Sequence, residues 1–179
     1  MSESSFSLLP FPDSRTPAIT IAGKIVRKHN FLVIQFEVTG ETESILFPES
    51  APNPTRKDEL WKATCFEFFI ARPEQPEYWE FNMSPSGDWN AYCMDAYRRI
   101  GFREEPSILE LSFSFHKDTG CASVEGSVDL SRLFSTETAI QAGIASIIQM
   151  IDQHETYWAL VHPNPQADFH LRESFKIEL

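Results

Sequence analysis

The chain has 179 residues, 42% of them hydrophobic and 13% aromatic, with a formal net charge of −11 at pH 7. This length suits a single well-buried domain, and its 15 phenylalanines can fill the interior. The acidic balance argues against partners held through phosphates, so neither a nucleic acid nor an anionic membrane surface is expected to bind. A neutral sugar, or a cation such as calcium, remains compatible with this charge.

The N-terminal residues do not have the pattern of a secretion signal, because they lack a basic start and Pro10 and Pro12 interrupt the apolar stretch. The longest apolar segment, residues 142–151, is shorter than a membrane span. The three cysteines are odd in number and form no CxxC pair, which argues against a disulfide framework or a thiolate zinc site. We therefore expect a soluble protein of the reducing cytoplasm.

Apolar and polar residues alternate through most of the chain, which is the period of half-buried β-strands. Residues 1–17, rich in serine and proline, are expected to form an extended arm before a single domain over residues 18–179, with Leu8, Leu9 and Phe11 as anchors. The predicted strands cover residues 18–27, 31–38, 45–47, 64–71, 78–84, 89–94, 108–115, 121–128, 139–151, 156–161 and 174–179. One helical turn is expected over residues 129–134, and loops over residues 95–105 and 162–170.

Many short strands separated by turn signals, with almost no amphipathic helix, predict an all-β fold. The spacing favours a two-sheet antiparallel β-sandwich of the jelly-roll type. Residues 139–151 could be an apolar helix or a long buried strand, and the surrounding short strands, together with Gly143, favour a strand.

The most informative stretch is the aromatic-rich block at residues 56–99, where Glu67 interrupts an apolar strand. A carboxylate in that position is unfavourable unless it meets solvent, a partner or a ligand. The alternation predicts that Glu67 shares one sheet face with Glu80 and Asn82 of the next strand. These acids and the amide could accept the hydroxyl groups of a polyhydroxylated ligand. A polar face that is simply solvated remains an alternative.

Trp61 and Trp89 flank these polar residues and are candidate rings for stacking on the C–H face of a sugar. Two structural alternatives stay open. Trp61 could instead be a core residue beneath the proline-rich loop before it. Glu67 could instead form an ion pair with Arg98 or Arg99.

The segments WKATCFEFFI, YWEFNMSPSGDW and HPNPQADFH together resemble the DOMON-like domains related to family 9 carbohydrate-binding modules. The similarity covers roughly residues 31–179 and is most specific over residues 59–92. It implies a β-sandwich that grips the end of a saccharide between two aromatic rings, with polar residues of the adjoining strands beside them. Members also bind calcium, and some DOMON relatives hold haem.

Applied to this sequence, the resemblance implies that Trp61 is a stacking ring and that Glu67 accepts a hydrogen bond from a sugar hydroxyl. The last loop has no tryptophan, so the second ring falls to Phe169 or to the imidazoles of His162 and His170. The ligands that a haem needs are not evident, no metal site is assigned, and calcium is the one cofactor that the resemblance leaves open. The predicted ligand-binding residues are Trp61, Glu67, Glu80, Asn82, Trp89, Arg98, His162, Phe169 and His170.

The sequence thus predicts a non-enzymatic module that binds a saccharide or a similar polyhydroxylated small molecule. The alternative is a small hydrolase or isomerase, with or without a metal, in which His162, Asp168 and His170 converge on Glu67. The spacing of these residues follows no metalloenzyme motif, and the same loop could be a rigid corner in which Asp168 caps backbone amides. A third hypothesis is an interaction surface built on an exposed aromatic patch.

Overall fold

The computed structural model describes residues 1–12, 15–97 and 102–179. Within these ranges the chain forms β-strands and short 3-10 turns but no α-helix. The strands are β1 (Ser2–Pro10), β2 (Ile19–Lys28), β3 (Phe31–Gly40), β4 (Cys65–Ala71), β5 (Tyr78–Met83), β6 (Trp89–Met94), β7 (Arg103–Glu104), β8 (Leu111–Asp118), β9 (Cys121–Asp129), β10 (Gln141–Gln149), β11 (Glu155–Ala159) and β12 (Ile177–Glu178). The 3-10 turns are Thr42–Ser44, Leu60–Lys62 and Arg172–Ser174.

The strands form two antiparallel sheets that share β1. The first sheet has the order β1-β2-β3-β9-β8, and the second has the order β7-β6-β5-β4-β10-β11, with β12 added beside β10. β1 joins them because its residues up to Leu8 pair with β2, whereas Leu9 and Pro10 pair with β11. The predicted all-β, two-sheet antiparallel fold is therefore confirmed.

The core lies between the two sheets, where alternate residues of both meet. Phe36 of the first sheet packs on Phe66 of the second with ring centroids 5.2 Å apart, and Phe68 stacks on Phe81 at 4.5 Å. These rings are all fully buried, so the phenylalanine content of the sequence does fill the interior.

Several predicted elements differ in detail. The first strand is β1 rather than the segment from residue 18, and within β1 Leu8 is buried while Leu9 is exposed. Residues 45–47 form only an isolated bridge between Ile45 and Met150. The ambiguous segment at residues 139–151 is indeed a strand, β10, and the last predicted strand is limited to the two residues of β12.

The outer faces of the two sheets differ. On the first sheet, β9 alternates between buried and exposed residues, as expected for a strand with one face in solvent. On the second sheet, every residue of β4 and β5 is buried, because loops cover the outer face. Trp61 and Phe169 come from two of these loops and pack against the outer apolar cluster. The second sheet thus carries a covered outer face on which a pocket can form.

None of the described residues belongs to a helix that is long and apolar enough to cross a membrane.

Candidate ligand-binding site

The floor of the site is polar and lies on the outer face of β4 and β5. Glu67 is in register with Asn82, and Phe69 with Glu80, so the three polar side chains point to the same side, as the alternation predicts. All three are buried, with Glu67 only 2% exposed. Asn82 Nδ2 donates a hydrogen bond of 2.9 Å to Glu80 Oε1, which fixes the amide beside that carboxylate.

Small residues next to Glu67 leave room above the floor. Its neighbour in register on β10 is Ala145, and the neighbour of Ala145 on β11 is Ala159. Neither methyl group is long enough to cover a glutamate side chain. A cavity of about 280 Å³ therefore opens here, with Glu67 and Glu80 among its lining residues.

Aromatic rings form the walls of this cavity. Tyr92 of β6 and Phe102 contact Trp61 edge to face, with ring centroids 5.9 and 6.3 Å from that of Trp61. The strand order places Tyr157 of β11 on the other side of Glu67, where it packs against Phe169 at 6.2 Å. Trp61 is partly exposed in this arrangement, so the alternative of a fully buried core tryptophan does not hold.

Burial shapes the electrostatics of the floor. Loss of solvent raises the pKa of Glu67 well above its usual range, the nearby charge of Glu80 raises it further, and a hydrogen bond with the Cys65 thiol opposes both. Glu67 Oε1 and Asn82 Oδ1 are buried without a hydrogen-bond partner among the described residues. Buried polar atoms are normally paired, so Glu67, which lines the cavity, has unfilled capacity for a ligand, whereas the predicted residue Asn82 is not among the lining residues.

Tyr92 is held in place by its hydroxyl group. This group donates to Asp58 Oδ1 at 2.8 Å and accepts from Asn90 Nδ2 at 3.0 Å. Burial, followed by the bond to Asp58, raises the pKa of Tyr92 above its usual range, so the ring stays neutral. The same aspartate lies just before the 3-10 turn Leu60–Lys62 that carries Trp61, and this bond ties the turn to β6. The aromatic wall is thus preorganised.

The last loop brings His170 to the cavity and fixes it there. Its Nδ1 lies 2.9 Å from the Tyr78 hydroxyl, and its ring packs edge to face on Phe69 at 5.5 Å. Asp168 accepts a bond from the His170 backbone N–H at 3.1 Å and another from the Tyr97 hydroxyl at 2.6 Å. Asp168 therefore has the capping role of the structural alternative.

The structure does not bring together all of the residues that the enzyme hypothesis requires. His162 is not among the residues that line the cavity; its Nε2 lies 2.8 Å from the carbonyl oxygen of Leu9, and its ring packs on Phe11 at 5.2 Å. Its contacts hold the last loop against the N-terminal strand. Of the two histidines, only His170 lies in the same cavity as Glu67.

Trp89 is also outside the cavity, which corrects its assignment as a stacking ring. It is in register with Met83, whose side chain points into the core, so both lie on the face opposite Glu67. The guanidinium of Arg56 stacks on the Trp89 ring at 4.5 Å. Arg98, the remaining predicted ligand-binding residue, and Arg99 lie outside the described residues.

One set of metal-capable side chains occurs among the described residues, and it lies apart from the cavity: Glu77, Cys93 and Asp95. Arg72 pairs with Glu77 at 3.2 Å, and Arg103 pairs with Asp95 at 2.7 Å. Burial raises the pKa of the Cys93 thiol to about 11. A neutral thiol between two carboxylates that are already ion-paired with arginines does not suit calcium, which prefers oxygen ligands. Calcium binding therefore stays a prediction.

Some residues of the cavity escaped the sequence analysis, chiefly Tyr92, Phe102 and Tyr157. Tyr92 is in register with Glu80, so phasing β6 against β5 would have identified it. Tyr157 reaches the site only because β11 lies beside β10, which no local pattern reveals.

A larger, open depression of about 660 Å³ lies on the outer face of the first sheet. Most of its lining residues are polar, with Gln35 Nε2 donating to Glu125 Oε2 at 2.7 Å, and the Phe36 ring points away into the core. Apart from the imidazole of His116, it offers no exposed aromatic face among the described residues that line it. The smaller cavity on the second sheet is therefore the better candidate site.

No protein-family model matches the chain, and no curated protein sequence matches it either. Solved structures do match its fold. One is a protein from Bacteroides uniformis whose description as carbohydrate-binding is itself provisional, at a TM-score of 0.71 and 11% identity, covering 97% of this chain and 84% of that one.

Two further matches are structures of a family 9 carbohydrate-binding module from Caldicellulosiruptor kristjanssonii. The complex with cellotriose has a TM-score of 0.56 and 13% identity, covering 85% of this chain and 70% of that one. The complex with glucose has a TM-score of 0.55 and 11% identity, covering 85% and 72% respectively. This chain therefore has a fold like that of family 9 modules, whereas the DOMON-like part of the resemblance stays a prediction.

Proposed function

We propose that this chain is a non-enzymatic module that binds a saccharide, or a similar polyhydroxylated small molecule, in the cavity on the outer face of the second sheet. One observation carries the proposal. The partly exposed ring of Trp61 shares a single cavity with the buried carboxylates of Glu67 and Glu80.

This combination matches the chemistry of a sugar. A pyranose ring has apolar C–H faces that stack on indole or phenyl rings, and hydroxyl groups on its edge that donate to carboxylates. Trp61 and Phe169 supply the rings, Glu67 and Glu80 the acceptors, and His170 a further polar group. The orphaned Oε1 of Glu67 is the acceptor that most needs a donor.

The size of the cavity limits the ligand. A volume of 280 Å³ lies just below the range of roughly 300–1,000 Å³ that is usual for small-molecule pockets. It suits a monosaccharide or the terminal unit of a longer chain better than an internal segment. The cellotriose and glucose complexes of the structurally similar module support a saccharide at this general level.

The proposal is tested by titrating the purified protein with a panel of mono- and disaccharides, by calorimetry and tryptophan fluorescence, with calcium or with a chelator. We expect saturable binding in the micromolar to millimolar range, about −8 to −4 kcal/mol. Trp61→Ala should weaken the affinity at least tenfold, about 1.4 kcal/mol, because it removes the main stacking face. The chelator arm also tests whether calcium contributes to binding.

The matched control is Phe31→Ala, which removes a ring that is 56% exposed and is not among the residues lining the cavity. It should bind sugars as the unaltered protein does. Circular dichroism of both variants establishes that they are folded. Absence of any sugar response in the unaltered protein, or equal affinity in Trp61→Ala, would contradict the proposal.

A further inference from the structure

We propose that the ligand carries a protonated amino group that docks against Glu67, as an amino sugar would present it. The saccharide part of this inference rests on the proposed function, whereas the amine part rests on the charge and the aromatic surface of the cavity alone.

Glu67 has no positive counter-charge among the residues described. It shares the cavity with Glu80, and the described lining residues include neither lysine nor arginine. Glu67 is 2% exposed, and its Oε1 has no hydrogen-bond partner in the described part of the chain. A buried carboxylate is stable in its charged form only when a positive group pairs with it.

A neutral hydroxyl group and an ammonium group meet this need to different degrees. A hydroxyl can donate one hydrogen bond to Glu67 Oε1, but it brings no charge to stabilise the ionised carboxylate, which burial disfavours. An ammonium group has three N–H donors and a positive charge, so it satisfies the oxygen and neutralises the carboxylate together. The floor therefore discriminates in favour of an amine.

The walls of the cavity favour the same ligand. Trp61, Tyr92, Phe102, Tyr157 and Phe169 surround the floor from both sides. The face of an aromatic ring carries partial negative charge and attracts a cation, and several rings around an anionic group form a common site for ammonium ions. The same rings can stack on the carbon skeleton that carries the amine.

The test compares three ligands that share one carbon skeleton: glucosamine, N-acetylglucosamine and glucose. Calorimetric titrations are carried out near neutral pH, where the free amine of glucosamine is still largely protonated and ionisation of Glu67, whose pKa burial raises, is less unfavourable than in acid. We expect glucosamine to bind at least tenfold more tightly than the other two. N-acetylglucosamine is the decisive comparison, because it keeps the nitrogen and loses the charge.

Glu67→Gln should abolish this preference, because it removes the charge and nearly preserves the shape. Glu125→Gln is the matched control: the same change on an exposed carboxylate of the first sheet, outside this cavity, should leave the preference intact. The comparison of the three ligands on the unaltered protein decides the matter even if Glu67→Gln does not fold.

Each remaining outcome separates the amine from the sugar. Equal affinity for glucosamine and glucose overturns the amine inference and leaves the proposed function standing. Binding of choline or ethanolamine that depends on Glu67, without binding of any sugar, supports the amine inference and overturns the saccharide. No response to either class overturns both.

Discussion

Glu67 is held in surroundings that favour its neutral form, and this has a consequence for stability. Desolvation and the charge of Glu80 raise its pKa in the folded state above that in the unfolded chain. Between these two pKa values the folded protein binds more protons than the unfolded chain, so stability falls as the pH rises through that interval. For one proton, the free energy of unfolding falls by at most about 1.4 kcal/mol per pH unit.

Glu67→Gln should remove this slope, because a neutral amide does not titrate. Its free energy of unfolding should match that of the unaltered protein at acidic pH, below the usual glutamate range, and exceed it at neutral pH. The measurement is urea unfolding of both proteins over a series of pH values. Glu125→Gln, which alters an exposed carboxylate, should follow the unaltered protein throughout. Parallel curves for Glu67→Gln and the unaltered protein would contradict the expectation.

The sequence predicted the polar floor because a strand period of two assigns each side chain to a face without further information. Glu67, Glu80 and Asn82 were found in this way. Trp89 was assigned to the wrong sheet face, because the face of a β6 side chain depends on how β6 aligns with β5 across the turn that connects them. His162 was misplaced because its partner is the carbonyl oxygen of Leu9, more than 150 residues away in the chain.

Among the elements, β1 has the most exceptional role, because it belongs to both sheets. Seven of its residues pair with β2, and its last two pair with β11. Phe6 anchors it: the ring is 8% exposed and packs edge to face on Phe36 at 5.3 Å. A Cβ atom at Gly23, the residue in register with Phe6, would lie 1.8 Å from the carbonyl oxygen of Gln35 and 2.7 Å from the Phe6 ring, so both the neighbouring strand and Phe6 require glycine there.

Phe6→Ala should destabilise the protein by about 3–5 kcal/mol, because it leaves a cavity at the junction of the two sheets. The control is Ser7→Ala on the same strand, whose side chain is exposed, and we expect a change within about 0.5 kcal/mol. Urea unfolding measures both values. A loss for Phe6→Ala as small as that for Ser7→Ala would mean that β1 is an accessory arm rather than part of the fold.

The composition of β1 favours an extended arm rather than a strand. Its sequence, SESSFSLLP, contains four serines and a proline, which are poor strand formers. It is nevertheless a strand because its backbone groups pair on one side with the first sheet and on the other with the second. By contrast, the hairpin of β8 and β9 was evident, since its turn residues are flanked by alternating segments on both sides.

At the scale of the whole molecule, the fold class could be predicted but the strand order could not. The count of strands and the turn signals between them are local, and they indicate a sandwich. The neighbours of β4 are β5 and β10, and the second of these is distant in sequence. The site combines β4, β5 and β6 with β10, β11 and two loops, so its full lining depends on pairings that only the tertiary structure defines.

Arg27 ties the first sheet to the segments that precede β10 and follow β12. It lies on β2 and is only 6% exposed, and its guanidinium donates to four carbonyl oxygens. The carbonyl oxygens of His29 and Ser135 accept these bonds at 3.0 Å, and that of Leu179 accepts at 3.3 Å. The fourth acceptor is the carbonyl oxygen of Thr138. One side chain of the first sheet thus holds the segment before β10 and the chain end after β12.

Arg27→Lys should therefore destabilise the protein by about 2–4 kcal/mol, because one ammonium group cannot reach carbonyls that a planar guanidinium serves together. Lys24→Ala, which removes an exposed cation from the same strand, should change stability by no more than about 0.5 kcal/mol. Urea unfolding at constant pH measures both, and similar losses for the two variants would contradict this role. Because Arg27 does not line the cavity, the folded Arg27→Lys protein should keep its ligand affinity. A loss of stability without a loss of binding would separate the residues that close the sandwich from those that serve the site.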